Sequence, residues 1–153
     1  MAIGKDNTDA MIKLADYYKD IKKYKKMEKY YLMAIDKGNT YAMMRLADYY
    51  EEIKKYEEMI KYYLMAIDES EDTKAMIKLA DYYKDIKKYE EMEKYYLMII
   101  NQDNGDTGTD AMIKLADYYK DIKKYEEMEN YYLIVIKKYK DNINTKAIIK
   151  LAD

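Results

Sequence analysis

The sequence predicts an all-α fold, an α-solenoid of about four and a half helix–turn–helix repeats. Three observations carry this. The string Ala111-Met-Ile-Lys-Leu-Ala-Asp-Tyr-Tyr-Lys-Asp-Ile-Lys-Lys-Tyr-Glu-Glu-Met-Glu-Asn-Tyr-Tyr-Leu133 is nearly reproduced from Ala10, Ala42 and Ala75, and its first part returns at Ala147. The period, roughly 32–36 residues, is that of one helical hairpin per copy. Within each copy apolar residues recur at i, i+3, i+4 and i+7, the spacing of one buried helix face. The copies are expected at about 8–39, 40–72, 73–108 and 109–144, with a partial copy at 145–153, all in one array.

Residues 1–7 read as a short lead-in. Thr8, Thr40, Thr73, Thr109 and Thr145 each stand two residues before the alanine that opens a copy. Thr is a good N-cap, because its hydroxyl accepts from a free N–H of the first turn. The first helix of each copy, helix A, is expected from about Asp9 to Lys19 in copy 1. Its apolar face holds Ala10, Met11, Leu14, Ala15, Tyr18 and Ile21. A turn follows near Asp20–Lys23 with no Gly or Pro to mark it. Helix B is expected from about Tyr24 to Ile35, with Tyr24, Met27, Tyr31, Ala34 and Ile35 on one face. Helices this short are marginal alone, so packing must supply their stability.

The copies differ mainly in the links between them: Asp36–Thr40, Asp68–Thr73, Asn101–Thr109 and Lys137–Thr145. Insertions are therefore expected to be tolerated at that edge. Glu57, Glu90 and Glu126 sit in the first turn of helix B, where negative charge suits the helix dipole, and Glu57–Lys61 and Glu90–Lys94 are favourable i, i+4 pairs. Copy 1 has Lys25 and Lys26 there instead, so its helix B is expected to fray first.

Composition narrows the chemistry. With 28 basic and 30 acidic residues the net charge is −2, which gives no general attraction to nucleic acid or anionic membrane. Cys and His are both 0, which removes disulfides, thiolate and imidazole metal ligands, and Cys or His catalysis. Tyr is 22 and Met 13, while Phe, Trp and Pro are 0, so the core must rest on Tyr and Met. The start, Met1-Ala-Ile-Gly-Lys-Asp-Asn7, lacks the apolar run of a signal peptide, and a cytoplasmic location is expected.

The unit resembles the tetratricopeptide repeat and its relative, the Sel1-like repeat. The residues that carry the likeness are Leu14-Ala15, Tyr18, Tyr24, Met27, Tyr31 and Ala34, then Leu46-Ala47, Tyr50, Tyr56, Met59, Tyr63 and Ala66. They recur as Leu79-Ala80, Tyr83, Tyr89, Met92 and Tyr96, and as Leu115-Ala116, Tyr119, Tyr125, Met128 and Tyr132. Lys29–Asn39 is similar to the Sel1-like ending. The sequence departs from the family at its turn glycine, here Lys22, at its small crossing residue, here Met27, and at its terminal proline, which is absent. The resemblance implies a right-handed superhelix whose helix A residues line a concave groove that takes a protein or peptide.

On that reading the candidate groove positions are Ile12, Asp16, Met44, Asp48, Ile77, Asp81, Ile113 and Asp117. The aspartates form an acidic ladder for a basic peptide, unless Lys13, Arg45, Lys78 and Lys114, three residues earlier, neutralise it. The lysine and asparagine clamp some relatives use for a C-terminal carboxylate is not matched by Ile12 and Asp16. The tyrosine pairs could stack bases or ligands, but at helical spacing they read as packing residues. The Met set (Met11, Met27, Met33 and equivalents) reads as core filling rather than an adaptable groove. Asp103–Gly108 hints at a calcium loop but lacks the register and closing Glu, and reads as a turn. Adjacent pairs such as Glu57-Glu58 are not held across a cleft, so no acid/base pair is evident.

The expected function is a non-enzymatic protein-interaction scaffold without cofactor or metal, and without nucleic-acid or membrane partners. Two other readings fit. One is head-to-tail self-association through the uncapped partial copy at 145–153. The other is an artificial repeat protein with no biological partner, which near-identical copies and five absent residue types would suit.

Overall fold

The computed structural model describes residues 3–102 and 105–138, with side chains from Asn7 onward. The described residues form eight helices and no strand: α1 (Ile3–Asp20), α2 (Tyr24–Ile35), α3 (Thr40–Glu52), α4 (Tyr56–Ser70), α5 (Thr73–Asp85), α6 (Tyr89–Gln102), α7 (Asp106–Asp121) and α8 (Tyr125–Lys138). Odd-numbered helices are helix A and even-numbered ones helix B. This is an all-α array of helix–turn–helix repeats, the architecture of the α-solenoid class.

The chain falls into two compact units, residues 1–78 and 79–153. In the first, α1 packs on α2, α2 on α3, and α3 on α4. In the second, α6 packs on α7 and α7 on α8, and Tyr83 of α5 stacks on Tyr95 of α6. The sequence dictates these cores directly. Ala15, Ala47, Ala80 and Ala116 are fully buried, as are Met27, Met59 and Met92 and the tyrosines Tyr31, Tyr63, Tyr96 and Tyr132 of helix B. Small residues on helix A let helix B approach, and unbranched Met fills the remaining gaps. Met33, by contrast, lies exposed.

Every hairpin turns on a lysine. Lys22, Lys54, Lys87 and Lys123 all adopt left-handed backbone, with φ between 57° and 61°. In the first hairpin Lys22 N–H donates to Lys19 C=O at 2.9 Å and Lys23 N–H to Tyr18 C=O at 2.8 Å. That pair of bonds is a Schellman closure, and it satisfies the last carbonyls of helix A. The family's glycine suits this position because it lacks Cβ; these lysines hold the same conformation at a cost. Gly38, in the link between α2 and α3, is the one glycine described with positive φ, at 74°.

Three expectations are corrected. The lead-in is helical from Ile3, where α1 begins, and residues 1–2 lie outside the described residues. The threonines do not cap. Asn39 caps α3, accepting from Ala42 N–H at 2.9 Å, and Asp72 serves Ala75 N–H at 2.9 Å in the same way. Thr40 and Thr73 are therefore first helical residues, while Thr8 and Thr109 lie buried inside α1 and α7. Asn and Asp compete better for the cap because their acceptor oxygen reaches the N2–N3 amides more readily. Thr145 lies outside the described residues. The extra residues between copies also become helix rather than loop: α4, α6 and α8 run to Ser70, Gln102 and Lys138, and α7 starts within the longest link, at Asp106. Of the segment Asp103–Gly108, expected as a turn, Asp106–Gly108 thus form the first turn of α7, and residues 103–104 lie outside the described residues.

Candidate functional site

Each hairpin carries the same polar clasp on its helix A. The second member of each helix B Tyr-Tyr pair reaches back and donates its hydroxyl to the helix A aspartate: Tyr31 to Asp16, Tyr63 to Asp48 at 2.7 Å, Tyr96 to Asp81 at 2.8 Å, and Tyr132 to Asp117. The rings are buried and the carboxylates half-exposed. Burial first, and then the bond to the carboxylate and its charge, push all four hydroxyls well above the ordinary tyrosine range. They are hydrogen-bond donors at any physiological pH, not acids.

Cations from the following copy complete the clasp. Arg45 meets Asp16 at 3.4 Å and Lys114 meets Asp81 at 2.9 Å. Lys78 takes Glu51 at 2.8 Å instead, and Glu51 also accepts from Tyr63 at 3.2 Å. The expected neutralisation by the cation three residues earlier on the same helix is therefore corrected: the ties that Arg45, Lys78 and Lys114 make cross from one copy to the one before. Such half-exposed pairs add little stability each, but they set charge along the helix A face in alternation.

The tyrosines follow a second pattern, of stacked rings. Tyr18 stacks on Tyr30, Tyr50 on Tyr62, Tyr83 on Tyr95 and Tyr119 on Tyr131, with ring centroids 5.6, 5.7, 5.8 and 5.9 Å apart. Between copies Tyr24 stacks on Tyr49 at 5.3 Å, and Tyr89 lies against Tyr118 at 5.0 Å. Tyr50 donates to Glu28 at 3.2 Å and Tyr119 to Glu93. Lys26, Lys29, Lys55 and Lys61 lie over the faces of these rings within 6 Å, a cation–π arrangement that occupies them.

The other candidate groove positions divide. Met44 and Ile77 are half-buried. Ile12 and Ile113 are buried, Ile113 in a cluster with Met112, Ala116, Tyr132 and Val135. In the first unit Asp16 and Asp48 with Met44 and Ile77, and in the second Asp81 and Asp117, remain the partly accessible members. The tyrosine–aspartate clasp was missed from sequence, although the constant offset of 15 residues between the partners was there to be read. Among the described residues no group of three His, Cys, Asp or Glu is placed to hold a metal ion, and no helix is long and apolar enough to cross a membrane.

Residues 40–73 and 109–137 each match the family model of the tetratricopeptide repeat; the first match begins at Thr40, the first residue of α3, and the second at Thr109, within α7. Those two stretches, and the eight consecutive helices around them, fit a repeat of the tetratricopeptide type. Comparison with curated proteins finds no match. Tetratricopeptide repeats are in general protein-interaction scaffolds rather than enzymes, and they typically bind proteins or peptides.

Proposed function

We propose that this chain is an interaction scaffold that takes a peptide or partner segment along the helix A face of its repeats. The observation that supports the reading is the clasp itself. Each buried tyrosine donates to one oxygen of a half-exposed aspartate, so the carboxylate is held in a set direction on the helix A face. Asp16 and Asp48 in one unit, and Asp81 and Asp117 in the other, then offer oriented anions at intervals set by the repeat. A segment with Lys or Arg at matching intervals would displace the weak inter-copy cations and pair with them.

The test is a displayed library of soluble peptides panned against the full chain. Enrichment of basic spacing, with binding weakened about tenfold or more by Asp48→Asn, is the expected result. Asp48→Asn keeps an acceptor for Tyr63, so folding should survive. Enriched peptides that bind the variant equally well would remove the aspartate column from the reading.

A further inference from the structure

Two tyrosine pairs that join neighbouring copies differ from the pairs within hairpins. Tyr24 of α2 and Tyr49 of α3 lie 5.3 Å apart with ring planes at 26°, and Tyr89 of α6 and Tyr118 of α7 lie 5.0 Å apart at 30°. Both contacts are closer than the hairpin stacks, whose centroids are 5.6, 5.7, 5.8 and 5.9 Å apart. In each, the helix B ring reaches solvent, Tyr24 at 40% and Tyr89 at 38% relative exposure, while its partner is buried or half-buried. The charges around them differ too. A lysine lies over at least one ring of every hairpin pair: Lys26 over Tyr18, Lys55 over Tyr50, Lys94 over Tyr95 and Lys124 over Tyr119. A cation on a ring face opposes the loss of an electron from that ring. The inter-copy rings stand near carboxylates instead. Burial first, and then the charge of Glu28, raise Tyr49 above the ordinary tyrosine range, and burial and then Glu93 do the same for Tyr118. Nearby negative charge makes an electron easier to remove, and both hydroxyls keep their protons at neutral pH.

The sequence has no Cys and no Trp, so tyrosine is its most readily one-electron-oxidised side chain. We propose that Tyr24–Tyr49 and Tyr89–Tyr118 are oxidative cross-linking sites, which a one-electron oxidant of the peroxidase or photosensitiser class converts to dityrosine. Each phenol gives one electron to the oxidant and its hydroxyl proton to solvent. The two phenoxyl radicals couple through ring carbons ortho to oxygen, forming one C–C bond. Each ring then sheds its ortho proton while its oxygen regains one, which restores both phenols. In sum the chain loses two electrons and two protons, and two equivalents of oxidant are each reduced by one electron. The product ties helix B of one copy to helix A of the next, a cross-link this sequence cannot make as a disulfide. The proposal does not depend on the aspartate column.

The test oxidises the full chain, at low concentration, with ruthenium tris-bipyridyl, persulfate and a brief flash of visible light. Proteolysis and mass spectrometry then identify the linked peptides. Tyr24–Tyr49 and Tyr89–Tyr118 links should dominate. They should form at least about tenfold more than in the same chain unfolded in urea, because the fold holds the rings in contact. Tyr24→Phe keeps the packed ring and should fold; it should lose the first link and retain the second. Links spread over the exposed rings Tyr17, Tyr41 and Tyr125, equal yields in urea, or undiminished linking of Tyr49 in Tyr24→Phe would each overturn the proposal.

Discussion

The Tyr63 hydroxyl donates to the Asp48 carboxylate at 2.7 Å and, more weakly, to Glu51 at 3.2 Å. A ring that is fully buried thus sends its only polar atom to an anion on the partner helix of the hairpin. Hydrogen bonds to charged groups contribute about 1.5–3 kcal/mol, and a buried orphan costs about as much. Tyr63→Phe should lower unfolding stability by roughly that amount, read as a fall in the urea midpoint. A loss no larger than that of Tyr17→Phe, on an exposed ring, would show that the clasp contributes little.

The same hydroxyls make stability depend on alkaline pH. Burial and the aspartate bonds raise Tyr31, Tyr63, Tyr96 and Tyr132 above their unfolded value. Above about pH 10 the unfolded chain releases these protons and the native chain keeps them, so the unfolded state binds fewer. Their contribution is full below about pH 10 and is lost as pH climbs beyond it, by up to ~1.4 kcal/mol per pH unit for each tyrosine. Urea midpoints should fall on the alkaline side, and Tyr63→Phe should make the decline shallower. An identical slope in that variant would contradict the assignment.

The turn lysines invite the opposite kind of change. Lys54 sits at φ 59°, where a Cβ crowds the following carbonyl. Lys54→Gly should stabilise the protein by about 0.5–1 kcal/mol, the relief being partly offset by the freer unfolded chain. A midpoint that rises with no change in denaturant slope is the expected signature.

Burial separates two leucines that occupy the same place in the repeat. Leu79 is fully buried, as are Leu46 and Leu115, while Leu14 is only half-buried. The sequence treats them alike, yet Leu14 keeps partial exposure where the other three have none. Leu79→Ala should cost about 2–5 kcal/mol and Leu14→Ala less than half as much, compared by thermal and urea unfolding.

What was legible followed from periodicity. The helix B span Tyr24–Ile35 and the glycine-free turn before it were readable because apolar spacing and its interruption are local signals. The start of α1 was not, because Gly4, Lys5, Asp6 and Asn7 carry no apolar pattern, although they are helical. The caps at Asn39 and Asp72 were visible in the sequence but passed over for the Thr beside them. The clasp lay beyond local reading for a different reason. A carboxylate, a phenol 15 positions on and a cation in the next copy converge only once two helix packings are fixed, and strings such as Lys13-Leu-Ala-Asp16 point to the nearer, unused pairing.

The stacked rings also make the protein its own optical probe. With Trp and Phe at 0, all near-ultraviolet absorption arises from tyrosine, and in each hairpin two phenol chromophores lie within 6 Å in nearly parallel planes. Transition dipoles so placed couple, and each stacked pair adds its own share to the circular dichroism. Replacing Tyr30 by Leu removes the Tyr18–Tyr30 pair, so the difference between the two melting curves follows the first hairpin without any attached label.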